Sequence, residues 1–314
     1  MKDSESVTVR RPAGWRLQGC YNIQHLSDLS KHFPLFCIRA WAFCRSIPLV
    51  LLFLLAPAVV GAIGEPPPGG RWLAMGGSGV ASTALREAWA QNPAALPFAP
   101  AWHWSSSAGR PFGLAELTSW QCGGGLARKN RGLALAAGGQ GIDLCRETTL
   151  ALAVGRAFSN GAAFGIALRR VGIAIERYGS ASTLLCDFGG QLRCSAELRI
   201  GFCLHNPFAA AIGRCREEIP PSLQSGIALQ LSPSASLCTD LYFEKGLPLE
   251  LRCGAEQLLG EVFALRAGFS SAGWRLAGGF ALRFRRISVE YGMMTHSWLG
   301  LSHQCSLCFH PGRR

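Results

Sequence analysis

The stretch that decides the fold reads Trp274-Arg-Leu-Ala-Gly-Gly-Phe-Ala-Leu-Arg-Phe284. Its even-numbered positions are apolar or glycine, whereas its odd-numbered positions hold arginine, alanine and glycine. Because successive side chains of a β-strand point to opposite faces, this alternation predicts a strand with one apolar face and one face of small and charged residues. Helical spacing does not account for it.

The same alternation recurs along most of the chain. Leu198–Leu204 and Leu249–Ala255 repeat it, and from Ala101 onward about fourteen such segments follow one another. Turn sequences such as Asn160-Gly161 and Lys245-Gly246 separate them. The pattern therefore predicts an all-β protein built of antiparallel hairpins.

Two architectures use such strands. In a soluble sandwich the strands run about five to six residues, whereas about ten alternating residues per strand with short turns are typical of an outer-membrane barrel. Such a barrel must close, because lipid cannot satisfy an unpaired backbone group. We therefore expect a transmembrane antiparallel β-barrel of about 14 strands, surrounded by outer-membrane lipid. Aromatic residues at predicted strand ends would form its interfacial girdles: Trp102, Trp104, Trp120, Tyr178, Trp274 and Trp298.

The composition agrees with a membrane barrel. The chain is 49% hydrophobic and only 16% charged, with 38 glycines, which excludes a disordered chain and is unusual for a cytosolic enzyme. Its net charge of +12 comes mostly from scattered arginines, with adjacent arginine pairs in the barrel region only at Arg169-Arg170 and Arg285-Arg286. Since a nucleic-acid interface clusters its basic residues, we expect no nucleic-acid partner.

Residues 1–62 have the features of an extended secretory pre-sequence. The uncharged block Ile47–Ala62 follows Arg45 and ends in the small residues Val60-Gly61-Ala62, as signal cleavage requires. The alternative is a transmembrane anchor, which Pro48 and Pro57 disfavour because they shorten the apolar core. We expect export through a cleavable signal peptide to the bacterial outer membrane.

Short motifs at both ends of the mature chain resemble a known family. Met75-Gly-Gly-Ser-Gly-Val-Ala81, Asn92-Pro-Ala-Ala-Leu96 and the closing segment Ile287–Phe309 are similar to segments of the FadL-like outer-membrane β-barrel superfamily, in particular the PorV/PorQ group. Further motifs follow in the family's order: Cys186–Gly189, His205–Pro207, Ile219–Pro221 and Ala264–Phe269.

This resemblance implies a fourteen-stranded barrel with an N-terminal plug inside it. Residues 63–100 would be the plug segment, 101–309 the barrel and 310–314 a C-terminal extension. The lack of period-2 alternation over residues 71–97 agrees with a plug. The family motif assigns these residues to the plug: Met75, Gly76, Gly77, Gly79, Asn92, Pro93 and Ala94. It assigns Gly300, His303 and Phe309 to the closing strand.

Charged residues on the second face of the strands would point into the barrel. A network that pins the plug to the wall and a conduit for an amphipathic solute are the two interpretations of these charges. The main candidates are Arg199, Glu250, Arg252, Arg266, Arg283 and Glu290; the pattern adds Arg169, Arg193, Glu197, Asp240, Glu256 and Arg275.

One segment departs from simple alternation. Phe164, Ile166 and Leu168 lie on even positions, whereas Val171 and Ile173 lie on odd ones, which predicts a β-bulge at residues 169–170.

Ten cysteines follow the pre-sequence, and their spacing matches no known disulfide framework. We therefore expect most of them to be small apolar core residues, with one or two disulfide bridges in loops.

No motif indicates a catalytic, metal or cofactor site. His303 and Cys305 would face one side of a strand and Cys308 and His310 the other, so they cannot converge on one metal ion. Gly77-x-Gly79 opens no nucleotide-binding unit. We expect a non-enzymatic protein without cofactor or metal.

The resemblance leaves three functions open. A PorV/PorQ-type protein would act in type IX protein secretion, with secreted cargo or secretion-system components as partners. The alternatives are a FadL-like transporter of hydrophobic small molecules, which passes them by a plug rearrangement or a lateral gap, and a purely structural barrel.

Overall fold

A computed structural model describes residues 69–83 and 88–311. The predicted pre-sequence and most of the C-terminal extension lie outside these residues. The helical elements are α1 (Gly70–Ala74), α2 (Ala88–Gln91) and the short 3-10 segments Pro93–Phe98, Pro111–Gly113 and Ala115–Leu117. The strands are β1 Trp102–Arg110, β2 Ser119–Arg128, β3 Arg131–Ile142, β4 Cys145–Ala157, β5 Ala162–Ile175, β6 Gly179–Arg193, β7 Leu198–His205, β8 Ala211–Ile212, β9 Glu217–Glu218, β10 Ser222–Ser232, β11 Ala235–Glu244, β12 Glu250–Leu259, β13 Phe263–Ser270, β14 Arg275–Arg283, β15 Ile287–His296 and β16 Gly300–Phe309.

Fourteen of these strands form one closed antiparallel barrel, as the sequence predicted. Each pairs with its neighbours in the chain, except that β7 pairs with β10 because the small hairpin β8–β9 lies between them in sequence. The ring closes where β1 pairs with β16, from Trp104 opposite Phe309 to Arg110 opposite His303. Closure leaves no edge strand along the seam.

The two faces of the wall differ as the alternation predicts. On β5, the outward side chains of Phe164 and Ile166 are 55% and 40% exposed, whereas the inward Ala163 and Ala167 are fully buried. The predicted girdle aromatics are all exposed. No helix among the described residues has the length and apolar character needed to cross a membrane.

The two edges of the barrel have connections of different length. We call the edge that holds the start of β1 and the end of β16 the terminal edge; its turns are short, such as residues 129–130 and 233–234. The opposite edge carries the two longest connections, residues 111–118 and 206–221. Because outer-membrane barrels have short periplasmic turns and longer external loops, we assign the terminal edge to the periplasm.

The wall has a step between β6 and β7. β6 pairs with β5 over its whole length, but with β7 only from Phe188 to Arg193. Among the described residues, the stretch Gly179–Asp187 therefore pairs with a strand on one side only. The connection 206–221, which we call the lid loop, begins where β7 stops.

The predicted bulge at residues 169–170 was wrong. The register of β5 runs without a shift against both β4 and β6. Val171 is fully buried on the inner face, where it packs with Leu185 against Ile212 and Ile219 of the lid loop. The apolar residues changed face because a loop, not lipid, covers them.

A closed barrel of this kind can be tested by the effect of heating on its migration in electrophoresis. We expect the folded protein, extracted in mild detergent, to migrate faster in unheated than in boiled electrophoresis samples, because detergent alone does not open a barrel without edges. Identical migration of the two samples, or recovery from the cytosol, would contradict the barrel.

Candidate functional site

The N-terminal segment winds along the inner wall of the barrel. From α1 it passes β15, β14, β13 and β12, crosses β7, and ends with the 3-10 segment Pro93–Phe98 against β3 to β6. We call residues 69–83 and 88–100 the plug.

A belt of glycines receives the plug. At one glycine in each of nine strands, an added Cβ would come within 3.0 Å of a plug atom, a distance that real Cβ atoms do not tolerate. Four of them lie directly opposite one another across β3, β4, β5 and β6. The belt consists of Gly132, Gly155, Gly165, Gly189, Gly201, Gly254, Gly268, Gly279 and Gly292. Close backbone approach is therefore the reason for these glycines.

The first plug motif turns the chain along β12 and β13. Met75 is fully buried, and Gly76, Gly77 and Gly79 adopt positive φ angles of 66°, 82° and 124°. The carboxylate of Asp240 accepts hydrogen bonds from the backbone N–H groups of Gly79 (2.6 Å) and Val80 (2.9 Å), while Gln224 donates to the same oxygen at 2.7 Å.

The second motif joins two parts of the plug to the wall. The Asn92 side chain accepts a hydrogen bond from the N–H of Ala94 at 3.0 Å, which caps the 3-10 segment that begins at Pro93. Its amide group donates to the carbonyl of Val80 at 2.7 Å and reaches the carbonyls of Gly190 and Phe202. One buried side chain thus connects the plug with β6 and β7.

The predicted inward charges form a buried network around Glu256. This carboxylate contacts Arg266 (2.5 Å), Arg71 (3.3 Å) and Arg283 (3.6 Å), and Arg266 also pairs with Glu290 at 3.1 Å. Burial lowers the pKa of Arg71, but the surrounding negative groups, the Glu256 carboxylate first among them, together outweigh burial and raise that pKa. Since Arg71 belongs to α1, an ion pair ties the plug to the wall here.

A second cluster lies beside it. Glu250 pairs with Arg252 at 3.1 Å and Arg275 at 2.7 Å. The guanidinium carbon of Arg252 lies 3.8 Å from the ring centre of Tyr242 and 5.6 Å from that of Trp72 in the plug. The contact with Trp72 therefore adds a cation–π interaction to the Arg71–Glu256 ion pair that binds α1.

Other predicted inward charges lie apart from this network. Arg199 is half-buried at the terminal edge, with its guanidinium carbon 4.9 Å from the ring centre of Phe98. Glu197 is exposed in the turn before β7, where it binds the hydroxyl of Ser195.

A polar cluster that the sequence patterns do not predict lies beneath the lid loop. Asp187 binds Arg169 through both of its oxygens, at 2.5 and 3.1 Å. It also lies 3.4 Å from His205 and accepts the backbone N–H of Asn206 at 3.0 Å. Asp187 and His205 fall in the quoted family motifs, but their meeting depends on the pairing of β6 with β7, which the motifs do not give.

The closing-strand residues lie at the seam. Gly300 begins β16 with a φ of 96°, and Phe309 ends it opposite Ile287 and Trp104. His303 faces outward with Tyr291, whose hydroxyl lies 2.6 Å from its Nδ1 atom.

None of the cysteines within the described residues is in a disulfide bond. They are spread over inward, outward and turn positions, and the expected one or two loop bridges are not formed. No group of three potential metal-binding side chains occurs in the part of the chain described. His303 and Cys305 lie on the opposite face of β16 from the buried Cys308.

Comparison of the barrel with solved structures identifies its fold. It is similar to CymD, described as a monoaromatic hydrocarbon channel, with a TM-score of 0.63 at 12% identity over 80% of this chain and 100% of that one. The Ralstonia pickettii toluene transporter TbuX has a TM-score of 0.57 at 12% identity, covering 79% and 100%. A Pseudomonas aeruginosa FadL homologue has a TM-score of 0.55 at 10% identity, covering 78% and 99%.

The fold is therefore that of the FadL-type outer-membrane barrels. At these identities the likeness establishes architecture alone. No family model matches the sequence, and no curated protein sequence matches it.

The glycine belt yields a matched pair of substitutions. We expect Gly268→Ala to destabilise the folded protein by about 1–3 kcal/mol, because its Cβ would collide with the backbone of Met75 and Gly76. Gly278→Ala is the control, since its Cβ would meet only atoms 3.8 and 3.9 Å away. Urea unfolding in detergent measures both; equal midpoints would contradict a plug seated on the belt.

The Glu256 network yields a second test. Glu256→Gln leaves Arg71, Arg266 and Arg283 without their shared carboxylate, and breaking a buried ion pair costs about 3–5 kcal/mol. We expect the variant to leak small ions in planar bilayers more than the unaltered protein. Glu261→Gln, in an exposed turn, should leave the conductance unchanged. If the Glu256→Gln variant conducted ions no more than the unaltered protein, this network would not be what holds the plug.

Proposed function

We propose that this protein is an outer-membrane channel for hydrophobic small molecules. The observation that carries the proposal is a plug wound across the lumen of a closed fourteen-stranded barrel. Such an interior does not suit a wide aqueous pore, but it suits selective passage beside a plug. The described channels that share the fold are named for hydrocarbons and toluene.

The lid loop provides an apolar surface at the outer mouth. Ile212 and Ile219 pack on Val171 and Leu185, and all four side chains are almost fully buried. An apolar solute that displaced the lid loop would meet this surface first and would gain free energy by leaving water. We infer that this patch is the first contact of the solute inside the barrel.

The polar cluster beneath the patch holds the lid loop in place. Asp187 binds the first backbone N–H of the loop at Asn206, and the Asn206 side chain donates to the carbonyl of Ile219 at 2.7 Å. Both ends of the loop are thereby tied to β6. Because few backbone pairings hold the loop itself, it is the element that opens at least cost.

The step between β6 and β7 offers a lateral way out of the lumen. There the wall lacks a second strand beside Gly179–Asp187 among the described residues, and the outward side chains of Leu184 on β6 and Phe202 on β7 are exposed. A hydrophobic solute could pass from the patch into the lipid without crossing the charged network around Glu256. This route supports transport into the membrane rather than through the plug.

The secretion role suggested by the PorV/PorQ motifs remains a prediction. Its one specific support is the closing segment Ile287–Phe309, and the solved structures cited above are described as hydrocarbon channels, a toluene transporter and a FadL homologue. If the chain served secretion, hydrocarbon uptake would match that of empty cells, and exported cargo would accumulate in the periplasm of cells lacking it.

Uptake of radiolabelled toluene tests the proposed channel. Cells that express the protein should take up toluene several-fold faster than cells with an empty vector. Val171→Asp should remove most of this gain, because it places a charge in the apolar patch, which an apolar solute then no longer prefers to water.

The matched control is Val262→Asp, in an exposed turn at the terminal edge. It should keep full uptake, and heat-dependent migration should show that both variants form barrels. If Val171→Asp does not fold, Ile219→Ser serves as a milder change at the same patch. Uptake equal to that of empty cells would overturn the proposal.

A further inference from the structure

Two arginines face each other at the terminal edge of the barrel. Arg193 and Arg199 are directly opposite in the pairing of β6 with β7, and both lie on inward-facing positions. Like charges at directly opposite positions destabilise a sheet. Within the described residues, no carboxylate pairs with either guanidinium, and the nearby Glu197 binds Ser195 instead. The position therefore offers two uncompensated positive charges.

A small cleft lies beside these arginines. Its volume is about 140 Å³, and it is lined by Phe98, Phe158, Asn130 and Gly161 besides the two arginines. A cavity of about 150 Å³ is enough for one benzene ring. The cleft is therefore the size of a single aromatic ring.

The cleft walls combine aromatic and cationic character. Phe98 is the last residue of the plug's 3-10 segment, and the Arg199 guanidinium lies 4.9 Å from its ring centre. The backbone of Arg193 is held by a hydrogen bond from its N–H to the carbonyl of Gly161 at 3.0 Å. The stacked guanidinium of Arg199 is therefore preorganised for a planar anion, while the exposed side chain of Arg193 starts from a fixed backbone position beside it.

We propose that this cleft binds an aromatic carboxylate. The carboxylate lies between Arg193 and Arg199, which supply charge-assisted hydrogen bonds, and the ring packs against Phe98 and Phe158. The cleft lies at the opposite edge of the barrel from the apolar patch under the lid loop, and its ligand class differs from an uncharged hydrocarbon. The site therefore stands whether or not the chain transports hydrocarbons.

Equilibrium binding of benzoate to the folded protein in detergent tests the site. Calorimetry should show that benzoate binds the unaltered protein at least tenfold more tightly than benzamide, its neutral analogue, or acetate, which lacks the ring. This comparison needs no variant. Equal binding of benzoate and benzamide would overturn the role of the arginines, and equal binding of benzoate and acetate would overturn the role of the ring.

A charge-matched pair of variants locates the site. Arg193→Gln/Arg199→Gln should weaken benzoate binding at least tenfold. Arg285→Gln/Arg286→Gln removes the same charge from an exposed turn at the same edge and should change it less than twofold. Equal loss in both double variants would mean general attraction to a cationic protein and would overturn the proposed site. Toluene uptake is a separate measurement, so failure here leaves the channel proposal intact.

Discussion

The constraint on which this structure depends is that backbone groups in lipid must be hydrogen-bonded within the protein. Every N–H and C=O group at membrane depth needs a partner within the protein, so fourteen strands pair in sequence and close where β1 meets β16. Once the ring is closed, the two faces of each strand meet different surroundings. The outer face is apolar because lipid covers it, and the inner face is free to carry glycine, alanine and charge.

Close packing of the plug is the second level of organisation. Nine strands place a glycine where the plug passes, so backbone meets backbone without intervening side chains. Tight contact excludes water, and the charged residues that remain inside must therefore pair with one another. Glu256 meets this requirement because it forms ion pairs with Arg266 of the wall and Arg71 of the plug. Sterics and electrostatics thus hold the same segment in the same place.

The alternation of Trp274–Phe284 and its repeats was enough to predict the barrel, because lipid burial imposes a period of two on every strand. The same rule failed at Val171, since period-2 analysis cannot tell burial by lipid from burial by a loop folded into the mouth. Inward orientation was predictable for Glu250 and Arg266, but their partners were not, because pairing depends on register between distant strands. The separation of Arg199 from the main network follows from its height in the wall, which the pattern does not report.

By itself, then, the sequence determined the closed barrel and the face on which each side chain of most strands lies. These are local properties, readable from alternation. Only the tertiary structure decided which glycines contact the plug and which carboxylate pairs with Arg71. It also decided where β6 lacks a second neighbouring strand, and that two arginines meet at a cleft the size of one aromatic ring. Each of these depends on residues far apart in the chain, and strand register and plug path are what bring such residues together.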